Sequence, residues 1–188
     1  MTRGRVGLIS DLSITFKYDW VTVKSDLGEP YGYPQSIGLY LGRKEPLPGI
    51  YRWKIDHLSS PSSQSVLIGE SENLLRRLGE YVSPTTKEEA AWKARFTQEL
   101  ASGSRITLEL LNLERASVGN AVFDKGDLGD PFLRKLIENA LVLTQKEDGR
   151  CTVLNKARHL RDKVSANLER EIARLEAKLT EIKGRHPN

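Results

Sequence analysis

Alternating side chains predict short β-strands in the first third of the chain. Residues 14–18 place large side chains at every second position, and residues 20–24 continue a weaker alternation, as in a strand with one face against a core. The segments 36–41, 49–55 and 65–69 are predicted as further strands. A serine-rich stretch separates the last two, which indicates a hairpin loop between paired strands.

Apolar residues at helical spacing follow these strands. They recur at intervals of three and four over about residues 73–82, 86–101 and 131–145, which predicts three helices with one apolar face each. Thr85 and Glu88 have the spacing of a capping box. The second of these helices is therefore expected to begin just after Thr85.

Three further segments complete the predicted elements. Residues 105–112 carry apolar side chains on both faces, which indicates a strand buried on both sides. Residues 119–130 are rich in glycine and aspartate and are predicted as a loop. Residues 156–183 contain no glycine or proline, and an apolar stripe over 160–182 predicts a long helix. That stripe is equally compatible with docking on its own domain and with pairing in a homodimer.

Together these elements predict an α+β fold. We expect a small three-stranded, mostly antiparallel sheet flanked by helices, with an N-terminal strand extension and a long C-terminal helix. The expected organisation is a β extension over residues 1–47, a core domain over 48–156 and a basic helix over 157–188.

Composition limits the class of protein. The 188 residues are 38% hydrophobic, which is enough for one domain with its own core. No apolar run approaches the roughly 18 residues that a membrane span needs, so no membrane partner is expected. The single cysteine, Cys151, excludes an internal disulfide framework. A reducing, cytoplasmic location is the expectation.

Positive charge is concentrated at the C-terminal end. The formal net charge is +4, and residues 156–188 supply all of it, because residues 1–155 carry equal numbers of acidic and basic side chains. A basic segment permits contact with phosphates without requiring it.

Four local motifs occur in order along the chain. Residues 49–51 read GIY on a predicted strand, and residues 67–77 read LIGESENLLRR across a strand and into a helix. Residues 136–142 read LIENALV within an apolar helix, and residues 154–155 read LN after a turn. Each motif alone is weak, but the four in this order resemble the GIY-YIG nuclease superfamily over about residues 47–156.

The resemblance implies a metal-dependent endonuclease that hydrolyses phosphodiester bonds in DNA. Glu138 matches the family's single metal-binding glutamate, which would hold Mg²⁺ (or Mn²⁺) while water and phosphate complete the octahedron. Arg77 matches the catalytic arginine, whose guanidinium can bind two phosphate oxygens. Tyr51 matches the tyrosine that orients or deprotonates the attacking water. Tyr81 lies one helical turn after Arg77 and so shares its face, and it is a candidate to compensate in proton transfer for the tyrosine that the second motif lacks.

Four more residues are expected at the substrate. Gly69 matches a position of close approach, where a side chain would collide with substrate or backbone. Asn73 opens the motif that carries the arginine, and Arg76 is a phosphate contact or a solvated neighbour. Asn155 matches the family's late asparagine, which orders the site or contacts phosphate.

The chain departs from the family pattern in three places. Leu67 stands where the second motif has a tyrosine, the interval between Tyr51 and Leu67 is longer than usual, and residues 146–150 add a turn. The alternative reading is therefore a catalytically impaired nucleic-acid-binding or interaction module with this fold. Because Arg77 and Glu138 are retained, we favour an active enzyme.

The overall size resembles that of compact restriction endonucleases of this superfamily. DNA contacts are expected from the loops 56–65 and 115–130 and from the basic tail. An unrelated α+β enzyme acting on a small molecule is disfavoured, because no Ser/His/Asp, Cys/His or phosphate-loop pattern is present.

Overall fold

A computed structural model describes the chain over residues 2–8, 12–41, 47–58, 63–118 and 121–155. The predicted C-terminal helix with its 160–182 stripe, and the whole basic segment over 156–188, lie outside the described residues. In the part of the chain that is described, no helix is long and apolar enough to span a membrane.

The described residues form an α+β fold. Its strands are β1 (Thr2–Leu8), β2 (Leu12–Thr22), β3 (Gly49–Asp56), β4 (Gln64–Ser71), β5 (Arg105–Val118), β6 (Ala121–Phe123) and β7 (Thr152–Val153). Its helices are α1 (Gly38–Leu41), α2 (Leu74–Val82), α3 (Lys87–Ala101) and α4 (Pro131–Asp148), with a short 3-10 helix over Lys125–Gly129.

The strands form one mixed sheet in the order β1-β2-β5-β3-β4-β7, with β6 paired to β5. All pairs are antiparallel except β4 with β7. The predicted three-stranded sheet is thus wrong in strand number. The predicted segments form its centre, but β5 continues to Val118 and pairs with β2 from Thr22 to Ile14. The N-terminal strands consequently join the same sheet.

One face of the central strands carries the aromatic core. Tyr51, Trp53 and Ile55 alternate along β3 on the face covered by α2 and α3, where Leu78 and Phe96 are fully buried. Trp53 packs against Phe96 with ring centroids 5.5 Å apart. This cluster fixes the position of α2 over β3, and so the position of the side chains that α2 carries.

The predicted strand over residues 36–41 is wrong: the chain turns there into α1. Strict alternation would bury Leu39 with Ile37, but Leu39 is 74% exposed. The backbone bonds are local, since Ile37 O accepts from Tyr40 N at 3.0 Å and from Leu41 N at 3.1 Å. These helical hydrogen bonds replace the partners that a strand would need.

The predicted capping box is displaced by one residue. Thr86, not Thr85, is the N-cap of α3, and its partner is Glu89, not Glu88. In this register the Glu89 carboxylate accepts from the backbone N–H of both Thr85 and Thr86, at 2.7 and 3.0 Å. The observed register therefore satisfies more donors than the predicted one.

The predicted loop over 115–130 is also largely ordered. Residues 115–118 belong to β5, residues 121–123 form β6, and the 3-10 helix follows. Asp130 then caps α4 by accepting from Phe132 N at 2.7 Å and from Leu133 N at 3.1 Å. Beyond α4, β7 lies beside β4, so both α4 and the end of the described chain lie close to the strand that carries Gly69.

Candidate active site

The first member of the site is Tyr51, on β3. The sheet register places Tyr51 opposite Gly69 of β4, so both residues point to the same face. A Cβ on Gly69 would lie 2.4 Å from the Tyr51 hydroxyl oxygen. The close approach at Gly69 is therefore to the Tyr51 side chain, whereas the predicted one is to substrate or backbone.

Arg77 lies in the first half of α2 and points back to this tyrosine. Its Nε donates to the Tyr51 hydroxyl at 3.2 Å, and its Nη1 donates to Glu80 Oε2 at 2.9 Å. The Glu89 carboxylate of α3 lies 3.8 Å from the same Nη1. The guanidinium also lies over the Tyr81 ring, 5.1 Å from its centroid. The predicted juxtaposition of Arg77 and Tyr81 on one helical face is thus observed.

The two tyrosines contact each other. The hydroxyl oxygens of Tyr51 and Tyr81 are 3.0 Å apart in a buried hydrogen bond. The backbone carbonyl of Tyr81 accepts from the Tyr33 hydroxyl at 2.9 Å, which ties the end of α2 to the segment before α1. Tyr51, Tyr81 and Arg77 therefore form one connected group of polar side chains inside an aromatic core.

Burial governs the ionisation of both tyrosines. Burial raises the pKa of Tyr51 well above its ordinary value, Tyr81 raises it further, and Arg77 opposes the shift. Burial likewise raises the pKa of Tyr81, against the lowering effects of Tyr51 and Arg77. Both hydroxyls are consequently protonated at neutral pH and can donate as well as accept hydrogen bonds.

Glu138 lies on α4 at the edge of this group. It is 9% exposed, and its Oε2 accepts from Lys135 Nζ at 2.6 Å. Burial raises the pKa of Glu138, Lys135 lowers it, Glu70 raises it and Arg77 lowers it. Glu138 also raises the pKa of Tyr81. The carboxyl group is thus within electrostatic reach of Arg77 and Tyr81.

A second buried cation stands one turn before Glu138 on α4. Arg134, with a side chain 4% exposed, donates from Nε to Glu70 Oε2 at 3.0 Å. Its Nη1 donates to the carbonyls of Leu128 and Gly129 at 2.8 and 2.9 Å. Arg134 thereby ties the 3-10 helix and the end of β4 to the helix that carries Glu138.

Asn73 and Arg76 serve the local structure of α2. Asn73 is the N-cap, and its Oδ1 accepts from Arg76 N at 3.0 Å. The Arg76 guanidinium donates to Glu80 Oε1, and its side chain is 58% exposed. Their predicted contacts with a substrate remain predictions.

The Asn155 side chain is hydrogen-bonded to the backbone of β4. Its Oδ1 accepts from Ile68 N at 3.0 Å, and its Nδ2 donates to Ile68 O at 2.7 Å. This double hydrogen bond fixes the strand segment next to Gly69. These contacts order β4, and the expected contact of Asn155 with phosphate stays a prediction.

Leu67 stands where the motif that the sequence resembles has its second tyrosine. It lies opposite Trp53 in the sheet register and is buried in the aromatic cluster. No hydroxyl is therefore supplied from this position, and the hydroxyl that contacts Tyr51 comes from Tyr81 instead.

Several neighbours of the site are not predicted by the sequence motifs. Glu70, Glu80 and Glu89 contact its cations, and Arg134 and Lys135 contact its acids. A partial signal exists, because Glu80 follows Arg76 and Arg77 by four and three residues, the spacing of helical ion pairs. Glu70 with Arg134, and Glu89 with Arg77, depend on the packing of separate elements.

Comparison of the chain with protein-family models, with curated proteins and with solved structures gives no match.

Proposed function

We propose that this protein is a divalent-metal-dependent endonuclease of the GIY-YIG type, hydrolysing phosphodiester bonds in DNA. The observation that carries the proposal is the contact of Tyr51 of β3 with Arg77 and Tyr81 of α2, with Glu138 of α4 within electrostatic reach of Arg77 and Tyr81. Arg77 lies 3.2 Å from the Tyr51 hydroxyl, which lies 3.0 Å from that of Tyr81. The order of motifs along the chain points to these same residues independently of their contacts.

Arg77 supplies the fixed positive charge of the proposed mechanism. Tyr51 and Glu80 orient its guanidinium, so little reorganisation is needed when a phosphate arrives. A guanidinium stays protonated at any working pH and matches the oxygens of a phosphate with a planar set of donors. Its role is to bind the scissile phosphate and stabilise the charge that develops on it.

Tyr51 and Tyr81 position the attacking water in this scheme. Both are protonated in the free protein, so Tyr51 begins as a hydrogen-bonding group rather than as a base. For Tyr51 to take a proton from water its pKa has to fall, and Arg77 already acts in that direction. Tyr81 acts in the opposite direction, so the lowering of the Tyr51 pKa has to come from Arg77 and from the metal cation when one is bound.

Glu138 fits the role of the single metal ligand. Within the described ranges, no group of three or more His, Cys, Asp or Glu side chains could hold a metal ion, so Glu138 would act with water and phosphate as its co-ligands. A single carboxylate suits Mg²⁺, which keeps several waters when it binds protein. When bound, the ion supplies charge neutralisation at the phosphate and a more acidic water.

The remaining features of the proposal come from the sequence. The N-terminal strands and the predicted C-terminal helix favour a site-specific, restriction-type enzyme, with the basic tail as a DNA contact and the 160–182 stripe as a homodimer surface. A cytoplasmic location remains the expectation from the single cysteine.

The test is cleavage of plasmid DNA with Mg²⁺ or Mn²⁺, with and without EDTA. Glu138→Gln and Arg77→Lys should each lower the cleavage rate by about 10²-fold or more, the scale for losing one main electrostatic stabiliser. Glu72→Gln, an exposed acid beside α2, should cleave like the wild type. Metal-dependent cleavage by Glu138→Gln at the wild-type rate would refute the proposed site.

A binding module is the second candidate, and one observation favours it. Tyr51 is only 1% exposed, and Leu67 replaces the second tyrosine of the motif. The site therefore has one of the two motif tyrosines, and that one is buried away from solvent. If the protein is a binding module, the wild type should bind DNA but should not cleave it in any divalent cation tried.

A further inference from the structure

One carboxylate, Glu80, contacts both arginines of α2. Its Oε2 accepts from Arg77 Nη1 at 2.9 Å, and its Oε1 accepts from Arg76 Nη1. The Glu80 side chain is 14% exposed, whereas that of Arg76 is 58% exposed. The acid is therefore held between two guanidinium groups in a place where solvent screens it only weakly.

The contacts of Arg77 hold its guanidinium on several sides. The group has five N–H donors. Nε donates to Tyr51 and Nη1 to Glu80, and the guanidinium lies over the Tyr81 ring. With Tyr51 and Glu80 holding two of its three nitrogens, the orientation of the planar group is set by its neighbours before a phosphate arrives.

We propose that Glu80 is a positioning residue: it anchors Nη1 of Arg77 and so holds the guanidinium in the orientation in which it meets the scissile phosphate. The inference rests on the proposed nuclease function and adds a residue that none of the motifs includes. Arg76 holds the second oxygen of Glu80 and completes the arrangement. If Glu80 positions Arg77, part of the cleavage rate depends on an acid that does not contact the substrate.

The opposite role for Glu80 would be competition with the phosphate for Arg77. The two roles predict opposite signs for Glu80→Gln. Removing a competing negative charge should speed cleavage or leave it unchanged. Removing an anchor should slow cleavage while DNA binding stays the same or tightens, because the local positive charge has increased.

The experiment compares wild type, Glu80→Gln and Glu88→Gln under single-turnover conditions with saturating enzyme and Mg²⁺. Glu88 is an exposed acid at the start of α3 and serves as the matched control. We expect Glu80→Gln to cleave about tenfold more slowly, with the Kd for an uncleaved duplex in Ca²⁺ no weaker than that of the wild type. Cleavage by Glu80→Gln at the wild-type rate or faster would overturn the proposal.

A double-mutant cycle separates positioning from general structural damage. If Glu80 acts through Arg77, the slowing caused by Glu80→Gln should disappear in an Arg77→Lys background. The same slowing in both backgrounds would overturn the positioning role while leaving the nuclease proposal intact. A wild type without metal-dependent cleavage would instead refute the nuclease proposal, and the role of Glu80 with it.

Discussion

At the scale of single residues, the Tyr51 ring occupies the space where position 69 would otherwise carry a side chain. An alanine Cβ there would lie 2.4 Å from the Tyr51 hydroxyl oxygen and 2.5 Å from Cζ. Because Tyr51 is buried within the aromatic core, the ring cannot move without disturbing its neighbours. The Tyr51 ring can therefore take its observed position only because residue 69 has no side chain.

Gly69→Ala should therefore destabilise the protein by about 1–3 kcal/mol, the usual cost of overpacking a core. Urea unfolding followed by circular dichroism measures this. Gly79→Ala is the control, since a Cβ there meets nothing within 4 Å and alanine is the better helix former by up to about 1 kcal/mol. Equal unfolding free energies for the two variants would contradict the packing argument.

The ionised carboxylate of Glu138 should lower the free energy of unfolding at neutral pH. Burial raises its pKa above the ordinary value of 4.5, so the folded state binds more protons than the unfolded state between the two pKa values. Stability therefore falls as the pH rises through that interval and stays lower above it. Glutamine keeps the shape without the charge. In EDTA at pH 7.5, Glu138→Gln should have a higher Tm than the wild type.

The pH dependence of that difference is the more specific test. The advantage of Glu138→Gln should shrink as the pH is lowered, because wild-type Glu138 becomes neutral as well. Thermal unfolding of both proteins across pH 4–8 provides the comparison. A Tm of Glu138→Gln below that of the wild type at pH 7.5 would show that the carboxylate is stabilised in place.

The residues with local signals are predictable from the sequence. Arg77 and Tyr81 share a helical face because four residues separate them, and Gly69 faces Tyr51 because strand registers are regular. The acids around Arg77 are not predictable in the same way. Glu89 reaches it only because α3 packs beside α2, and nothing in the local sequence encodes that packing.

At the scale of elements, β5 shows where sequence patterns fail to follow the structure. Burial alternates from Leu111 to Leu113, but the next inward residue is Ala116. The pairing register with β2 shifts at this point, where Tyr18 pairs with Leu113 and Lys17 with Arg115. Such a bulge inserts one extra residue and breaks the two-residue period. The apolar side chains that predict the strand over 105–112 give way beyond Leu113 to polar residues and this irregular spacing, although the strand continues to Val118.

The start of α3 gives a prediction at this scale. Thr86→Ala removes the N-cap side chain and should cost about 1 kcal/mol of unfolding free energy. Thr85→Ala leaves the cap in place and should cost less, although the Thr85 hydroxyl donates to Glu89 at 3.0 Å. Chemical denaturation of both variants compares them directly. A larger destabilisation by Thr85→Ala would favour Thr85 as the N-cap of α3 and contradict the observed N-cap at Thr86.

At the scale of the whole molecule, charge separates two parts of the chain. Residues 1–155 have no net charge, whereas residues 156–188 carry nine basic and five acidic side chains. The site itself mixes both signs, since Glu70, Glu80 and Glu89 offset its arginines. Any strong attraction for DNA is therefore expected from the C-terminal segment rather than from the site.

The salt dependence of DNA binding tests this division. The change replaces three basic residues of the C-terminal segment with glutamine: Lys156, Arg158 and Arg161. Removing one ion pair with a DNA phosphate should lower the slope of log Kd against log salt concentration by about 0.9. The matched control removes the same charge from the exposed face of α3 through glutamine at Lys87, Lys93 and Arg95. Fluorescence anisotropy on a duplex across a salt series should give a shallower slope for the first variant and the wild-type slope for the control. Equal slopes for both variants and the wild type would show that the basic segment lies away from bound DNA.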